Sequence, residues 1–213
     1  MRGTLIIFVK APVAGRVKTR LAKSFGAGRA AAIYRRLTAN TIANAANGPW
    51  RTVLAVDPAS AARGPSSIWP SRLARTLQGT GDLGERMRRL IDAAPPGPVV
   101  IIGSDAPFLR SRDIRTAFAA LCGADAVFGP ADDGGYWLIG LARRRGRAPQ
   151  FEGVRWSSAH ALADTIISMP DHWRTRRLEF LADIDDGADF VAAGPGALMR
   201  TPAPRPRRTL HTG

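Results

Sequence analysis

The sequence predicts an α/β fold in which a parallel or mixed β-sheet is covered by helices on both faces. Short apolar runs typical of buried strands recur along the chain, the clearest at residues 5–9 and 98–103. Helical patterns separate these runs, as in residues 28–46. The chain has 213 residues, of which 45% are hydrophobic, and this is enough to bury one full core.

In the first half of the chain, apolar runs and the breaks between them define the elements. The predicted strands, each bounded by turn residues, are residues 5–9, 52–56 and 73–77. A helix is predicted over residues 28–46, where apolar side chains recur on one face. Residues 59–71 are rich in Pro and Ser and are predicted to form a loop. Asp82 and Glu85 predict the capping box of a further helix.

The second half of the chain continues the alternation of strands and helices. Its predicted strands are residues 98–103, 124–129, 136–141 and 178–181. An Asp- and Gly-rich turn separates the second and third of these, which predicts a hairpin. Helices are predicted over residues 111–121, with Ser111 as the cap, over residues 158–167 and near residue 188. Cys122 follows the apolar pattern of the first helix, and we expect it to be buried.

Composition predicts one domain over residues 1–194 and a tail over residues 195–213. The tail is rich in Pro and Arg, and we expect it to be mostly disordered. The single cysteine excludes an internal disulfide and fits a reducing compartment. The apolar run near the N-terminus is too short for a membrane span or a signal-peptide core, so we expect no membrane span and a cytoplasmic protein.

The net charge of +14 indicates either an anionic partner or a compositional bias of a chain rich in Ala, Arg, Gly and Pro. Nucleic acid is one interpretation, because basic surfaces bind phosphates. However, the arginines are scattered, and the sequence has no lysine-rich arm, aromatic stripe or zinc-finger spacing. Nucleic acid is therefore disfavoured, and anionic small molecules are the better prediction.

The loop after the first strand, KAPVAGRVKTRL at residues 10–21, concentrates positive charge. It carries Lys10, Arg16, Lys18 and Arg20 around Gly15, and it precedes a helical pattern. A strand, a glycine-containing cationic loop and a helix start together predict a cradle for phosphates. The alternative is a solvated basic loop. An ordinary P-loop is disfavoured, because Pro12 and Val17 stand where that motif needs glycines.

Acidic side chains follow several predicted strands and are candidate metal ligands. Asp105 follows residues 98–103, and a carboxylate at a strand end facing phosphates is suited to Mg²⁺ or Mn²⁺. It could equally form an N-cap or an Asx turn. Among residues 183–186, Asp185 is the better metal candidate and Asp186 the better helix cap. Residues 132–135 have turn composition, so they could form a turn and nothing more.

Some classes of site find no support in the sequence. The three histidines lie at His160, His172 and His211, without the spacing of metal ligands. No Ser/His/Asp order is visible either, and a serine hydrolase is therefore excluded.

Five blocks occur in the order KAPVAGRVKTRLA, GDLGERM, VVIIGSDAPFL, GPADDGGYWLIGL and FEGVRWSS. Together they closely resemble a bacterial family of glycosyltransferases associated with radical-SAM and selenoprotein-type clusters, also called arsenosugar-biosynthesis glycosyltransferases. The resemblance covers about residues 5–190. It implies the nucleotide-diphospho-sugar transferase fold, which is GT-A-like: a three-layer α/β/α Rossmann-like sandwich with a mixed, mostly parallel sheet.

The resemblance also implies a nucleotide site. In the wider superfamily, which includes the molybdenum-cofactor and 2-phospholactate guanylyltransferases, the first loop binds nucleotide phosphates. Two aspartates there hold the metal, and they match Asp105 and Asp185 of this chain. The predicted catalytic residues are Lys18, Asp105 and Asp133. The predicted substrate- or nucleotide-binding residues are Lys10, Gly15, Lys18, Arg20, Asp82, Glu85, Arg86, Ser104, Asp132, Gly134, Gly135, Trp156 and Ser157.

The sequence therefore predicts a metal-dependent transferase that uses Mg²⁺ or Mn²⁺, a nucleotide or nucleotide-sugar donor and a small-molecule acceptor. Glycosyl transfer is the first prediction, with Asp133 or Glu85 as the acceptor's base. Nucleotidyl transfer, with release of pyrophosphate from a nucleoside triphosphate, is the alternative. It stays open because a lone Asp105 stands where many GT-A glycosyltransferases have an Asp-x-Asp motif. A binding protein without catalysis is the third possibility.

Overall fold

The computed structural model describes residues 3–63, 68–144 and 148–181. Within these ranges, seven strands form a single sheet and six helices accompany it. The strands are β1 Thr4–Lys10, β2 Arg51–Asp57, β3 Ala74–Leu77, β4 Val99–Ile102, β5 Ala126–Pro130, β6 Tyr136–Leu141 and β7 Thr175–Arg177. The helices are α1 Thr19–Phe25, α2 Ala27–Ala45, α3 Ala59–Arg63, α4 Leu83–Ala93, α5 Ser111–Ala120 and α6 Ala161–Ile167.

The sheet is mixed and mostly parallel, as predicted. Its strand order is β3-β2-β1-β4-β6-β5-β7, and β1 is parallel to both β2 and β4. Strand β6 runs antiparallel to β4 and β5, so β5 and β6 form the predicted hairpin. Parallel pairing places the carboxyl ends of β1, β2 and β4 at one edge of the sheet, where ligands bind in folds of this kind.

The interior of strand β1, residues 5–9, is apolar without alternation. Leu5 and Ile7 face a core that includes residues of α2 and α5, whereas Ile6 and Phe8 face a second core that includes residues of α4 and α6. Successive side chains of a strand point to opposite faces of the sheet. Because helices cover both faces, residues 5–9 of the strand are all apolar.

Helix α1 is anchored on α2 through a small separate core. Leu21 of α1 is fully buried against Ala30, Ile33 and Leu37 of α2. This contact fixes where the cationic loop after β1 ends. The loop is therefore held at the carboxyl edge of the sheet by β1 on one side and by α1 on the other.

Helix α4 begins with the predicted capping box. Asp82 Oδ1 accepts a hydrogen bond from the backbone N–H of Glu85 at 2.8 Å, and Glu85 Oε2 accepts one from the backbone N–H of Asp82 at 2.9 Å. Both side chains therefore satisfy backbone donors that the first turn of a helix leaves unpaired.

Three predictions about local secondary structure were wrong. The predicted loop at residues 59–71 contains α3, whose alanine-rich sequence favours a helix. The N-cap of α5 is Arg110 rather than Ser111, because the Ser111 hydroxyl donates to the backbone of Asn44 instead. Among the described residues the last strand is β7, which ends before residues 178–181. Leu178 and Leu181 pack against the core from outside the strand, which explains their apolar pattern.

Cys122 is exposed and not buried as predicted, because α5 ends at Ala120 and the chain turns there. The predicted helix near residue 188 and the acidic segment 183–186 lie outside the described residues. The division into a domain at 1–194 and a tail at 195–213 stays a prediction, since its boundary falls there as well.

Candidate active site

A cleft of about 720 Å³ opens at the carboxyl edge of the sheet. Its lining comes from the β1–α1 loop, from the start of α4, from the residues after β4 and from two later loops. The predicted site residues that line it are Lys10, Lys18, Arg20, Asp82, Arg86, Ser104, Asp105, Asp133, Trp156 and Ser157. Segments far apart in sequence thus meet in one place.

The other predicted site residues stand outside the cleft lining. The residues described by the structure but not lining the cleft are Gly15, Glu85, Asp132, Gly134 and Gly135. Asp185 lies outside the described residues. Arg16 of the cationic loop also lines the cleft, although it is not among the predicted binding residues. Tyr34 and Gln78 line the cleft as well and were not predicted from the sequence, because they carry no motif of their own.

Lys18 and Asp105 form an ion pair inside the cleft. Lys18 Nζ lies 2.9 Å from Asp105 Oδ2, and the Lys18 side chain is only 7% exposed, whereas that of Asp105 is 37% exposed. Lys18 has a left-handed backbone, with φ 45° and ψ 52°, at the N-cap of α1. A non-glycine residue in this region is strained and is often found at functional sites. The pair joins the cationic loop to the end of β4.

Tyr34 connects the two central strands beneath the cleft. Its phenol oxygen accepts a hydrogen bond from the backbone N–H of Lys10 and lies 2.9 Å from Ser104 Oγ. Burial raises the pKa of Tyr34 above its ordinary value, so the phenol is neutral. These bonds fix the residue that ends β1 and the residue that precedes Asp105.

The start of α4 forms a second wall. Arg86 donates from Nε to the backbone oxygen of Asp82 at 3.2 Å and from Nη1 to Gln78 Oε1 at 2.9 Å. Arg89 donates to the backbone oxygens of Gln78 and Thr80. Arginine side chains and the capping box thus hold this wall by several hydrogen bonds.

A third wall carries Asp133 on a tight turn. Asp133 Oδ1 accepts a hydrogen bond from the backbone N–H of Gly135 at 2.8 Å. Gly134 has φ 79°, and a Cβ there would clash with the backbone oxygen of Ala159. The turn therefore requires glycine and packs directly against the segment before α6.

The same wall presents Trp156 and Ser157. Arg155 donates to Asp164 from Nε at 2.8 Å, from Nη2 at 2.9 Å and from its backbone N–H at 3.1 Å. These hydrogen bonds lower the pKa of Asp164 to about 2. Ser157 has φ 57°, a left-handed backbone conformation that is strained for a non-glycine residue. The segment that carries Trp156 and Ser157 into α6 is therefore both strained and held by the Arg155–Asp164 hydrogen bonds.

Asp105 is suited to bind a divalent cation. A Cβ on Gly103 would stand 3.0 Å from Asp105 Oδ1, so glycine leaves room beside the carboxylate. Among residues 3–63, 68–144 and 148–181, no three His, Cys, Asp or Glu side chains are grouped as metal ligands would be. Magnesium, however, needs only one or two carboxylates when water and substrate oxygens complete its shell. The residues present fit such a cation.

Comparison with known families places the chain in one of them. The model of DUF2064, described as an uncharacterized protein conserved in bacteria, matches residues 39–158. This match spans more than half of the chain. The chain belongs to the DUF2064 family. Among curated proteins, none matches it.

Solved structures show what this DUF2064 protein resembles in three dimensions. A protein of Desulfovibrio desulfuricans, provisionally assigned as a nucleotide-diphospho-sugar transferase, is 27% identical over 95% of this chain and 92% of its own, with a TM-score of 0.81. A 4-diphosphocytidyl-2C-methyl-D-erythritol synthase from Anaerococcus prevotii is 10% identical over 90% of this chain and 96% of its own, with a TM-score of 0.55.

A third structure is a manganese complex of the protein Rv0371c from Mycobacterium tuberculosis. It is 14% identical over 90% of this chain and 97% of its own, with a TM-score of 0.53. At such identities the second and third structures show a shared fold. The predicted fold is therefore confirmed, and the Desulfovibrio likeness confirms the prediction of an enzyme of the transferase class.

Within the described part of the chain, no helix is both long enough and apolar enough to cross a bilayer. The cytoplasmic location stays a prediction.

Proposed function

We propose that this DUF2064 protein is a metal-dependent transferase that binds a nucleotide-sugar donor and transfers the sugar to a small acceptor. The observation that carries the proposal is the Lys18–Asp105 ion pair in the lining of a cation-rich cleft. The ion pair supplies a cation for donor phosphates and a carboxylate for a metal. The likeness to a protein assigned as a nucleotide-diphospho-sugar transferase supports this donor class.

Asp105 would hold Mg²⁺ or Mn²⁺, with Asp185 as the predicted second ligand. When bound, the cation would neutralise charge on the donor diphosphate. A manganese complex of a protein with the same fold supports this choice of metal. Lys18, Arg20 and Lys10 would bind phosphate oxygens and stabilise the negative charge that develops on them.

In sugar transfer, the bond between the anomeric carbon and the β-phosphate oxygen breaks. The nucleoside diphosphate keeps the electron pair, and the acceptor oxygen forms the new bond to the anomeric carbon. Asp133 would take the acceptor's proton, because its carboxylate lines the cleft and is oriented by Gly135. Glu85 is the weaker candidate, since its side chain closes the capping box and stands outside the cleft lining.

The narrower assignment to the radical-SAM-associated glycosyltransferases is part of the same proposal. It is supported by five ordered sequence blocks. Each of the five blocks contributes a residue to the lining of the cleft. In sequence order these residues are Lys18, Asp82, Asp105, Asp133 and Trp156.

Nucleotidyl transfer is the second candidate. Here the acceptor oxygen attacks the α-phosphorus of a nucleoside triphosphate, and the bond from that phosphorus to the bridging oxygen breaks to release pyrophosphate. The lone Asp105 after β4 favours this candidate, as does the fold shared with the 4-diphosphocytidyl-2C-methyl-D-erythritol synthase. The same cations would stabilise the charge.

The test is a thermal-shift panel with ATP, CTP, GTP, UTP, UDP-glucose and GDP-mannose, each with and without Mg²⁺ or Mn²⁺. A ligand of the folded state raises the melting temperature by mass action. We expect a metal-dependent rise with one nucleotide sugar and its loss in Asp105→Asn. Asp171→Asn, an exposed aspartate outside the cleft lining, is the matched control.

The outcome of the panel also separates the two candidates. A preference for a triphosphate, with pyrophosphate as product, would replace the first candidate by the second. An absence of any shift, or a metal-dependent shift that Asp105→Asn retains in full, would contradict the proposal.

A further inference from the structure

Gln78 places a buried amide directly under the α4 wall of the cleft. It follows β3 and is only 2% exposed. Its Nε2 donates to the backbone oxygens of Val9 at 3.1 Å and Ala55 at 3.0 Å, and its Oε1 accepts from Arg86 Nη1 at 2.9 Å. One side chain therefore joins β1, β2 and a cationic residue of the cleft.

The orientation of this amide follows from its partners. A glutamine amide has two N–H donors and one acceptor oxygen. Both donors are used on the carbonyl oxygens of Val9 and Ala55. The reverse orientation would set the amide oxygen against two carbonyl oxygens and the amide nitrogen against a guanidinium. Oε1 therefore has to face Arg86.

The planar guanidinium of Arg86 is consequently held in one orientation by two hydrogen bonds. A guanidinium carries five N–H bonds, and Arg86 uses one on the Asp82 backbone and one on Gln78. Within the described residues, no further hydrogen bond or ion pair of this guanidinium is found. Arg86 lines the cleft, and its other three N–H bonds are the donors left for acceptor atoms of a ligand bound there.

The backbone of Gln78 is itself fixed from a second side. Arg89 donates from Nη1 to the backbone oxygen of Gln78 at 3.0 Å and from Nη2 to that of Thr80 at 2.9 Å. The amide is therefore attached to two strands and one helix. An ordinary surface arginine would have to give up side-chain freedom to meet a ligand, whereas Arg86 has already lost it.

We infer that Gln78 is a positioning residue, which fixes the Arg86 guanidinium so that its remaining N–H groups bind the nucleotide part of the donor. This inference rests on the proposed function for its ligand. It adds a buried residue that carries no motif of its own and that acts through Arg86.

The test is a double-mutant cycle on ligand affinity, measured by titration calorimetry with whichever nucleotide or nucleotide sugar of the thermal-shift panel gives the largest shift. Gln78→Met keeps the length of the side chain but removes all three hydrogen bonds. We expect it to weaken binding about tenfold, the cost of one hydrogen bond to a charged group. In an Arg86→Met background it should weaken binding further by no more than about twofold. Equal weakening in both backgrounds would overturn the inference.

Gln78→Glu separates positioning from a purely structural role. The carboxylate keeps an acceptor for Arg86 and loses both donors to the strand carbonyls. We expect its melting temperature to fall at least as much as that of Gln78→Met, with affinity within about threefold of wild type, because the bond to Arg86 remains. If both variants bind equally weakly, Gln78 acts only through stability.

A third measurement tests whether Gln78 fixes the Arg86 guanidinium, and it needs no bound nucleotide. If no nucleotide binds, the proposed function fails, and this measurement still tests the positioning role of Gln78. The Nε–H resonance of Arg86 can be assigned by its absence in Arg86→Lys. We expect this resonance to lie apart from those of exposed arginines in the wild type and to join them in Gln78→Met. An unchanged resonance in a folded Gln78→Met variant would overturn the inference.

Discussion

The α4 wall and the cationic loop line the same cleft but are held in different ways. Arg86 is fixed by Gln78 and by the Asp82 backbone, next to a complete capping box. Lys18 meets Asp105 through an ion pair, and the loop before it is exposed from Val13 to Arg16. One wall is a network of hydrogen bonds within the chain, and the other ends in two opposite charges.

The difference teaches which groups are ready to exchange partners. The buried amide and the capping box have their donors and acceptors satisfied by the chain. They therefore orient neighbouring groups, and their hydrogen bonds need not break when a ligand binds. An ion pair of Lys18 and Asp105 keeps both charges compensated when the cleft holds no ligand. A phosphate at Lys18 and a cation at Asp105 would then replace each partner by an equivalent one.

The largest effect that this comparison predicts is on catalysis. Lys18→Met and Asp105→Asn should each lower kcat/KM about 100- to 1000-fold, because each removes a group that stabilises transferred charge. The measurement is product formation with the donor identified by the thermal-shift panel. Lys23→Met, which removes the same charge from α1 outside the cleft lining, should leave the rate within about twofold. Equal losses in Lys23→Met and Lys18→Met would mean that net charge, and not the ion pair, matters.

Two glycines sharpen the contrast between crowded and open parts of the site. Gly134 and Gly15 both have φ 79°, but a Cβ on Gly134 would clash with Ala159, whereas no atom lies within 4 Å of one on Gly15 among the described residues. Gly134→Ala should cost about 3 kcal/mol or more, and Gly15→Ala about 1 kcal/mol. Urea unfolding measures both, and similar costs would contradict the assigned packing.

Tyr34→Phe tests the link between β1 and β4 beneath both walls. It leaves the backbone N–H of Lys10 and the hydroxyl of Ser104 without their phenol partner, at a cost of about 1–2 kcal/mol near pH 7. Burial raises the pKa of Tyr34 in the folded state above its ordinary 10.0. The contribution of its phenol to stability is therefore full below pH 10 and falls as the pH rises toward the folded pKa.

The matching measurement is unfolding as a function of pH between pH 7 and 11. The wild type should lose more stability over this interval than Tyr34→Phe does. Parallel curves would show that the phenol is not buried as described.

The smallest expected effect concerns the clamp of the third wall. Asp164 has a pKa lowered from 3.8 to about 2 by its hydrogen bonds to Arg155. Its contribution to stability is present above pH 3.8 and is lost as the pH falls toward about 2. Asp164→Asn should lower the melting temperature slightly at pH 7 and flatten its decline over that acid interval. Asp171→Asn serves as control and should follow the wild-type curve.

Much of the fold could be predicted from sequence because its signals are local. The apolar run of β1, the apolar run of β4 and the capping box at Asp82 depend on neighbours in the chain, and all three are confirmed. Strand β7 was misplaced because it pairs through its backbone while carrying exposed polar side chains. Local apolar pattern gives no signal for such an edge strand.

The candidate site divides in the same way. Lys18 and Asp105 could be found because clustered charge at strand ends is visible in sequence. Their mutual contact could not, since 87 positions separate them in the chain. Tyr34 and Gln78 look like core and loop residues in sequence, and only the partners of their polar atoms reveal a role at the cleft.

The most direct test of the central claim is a crystal structure with Mg²⁺ and the nucleotide or nucleotide sugar that raises the melting temperature most. We predict that the donor phosphates lie against Lys18, that the cation binds Asp105, and that Arg86 contacts the same molecule. A nucleotide bound away from the cleft, or bound in it with the Lys18–Asp105 pair intact and untouched, would contradict the account.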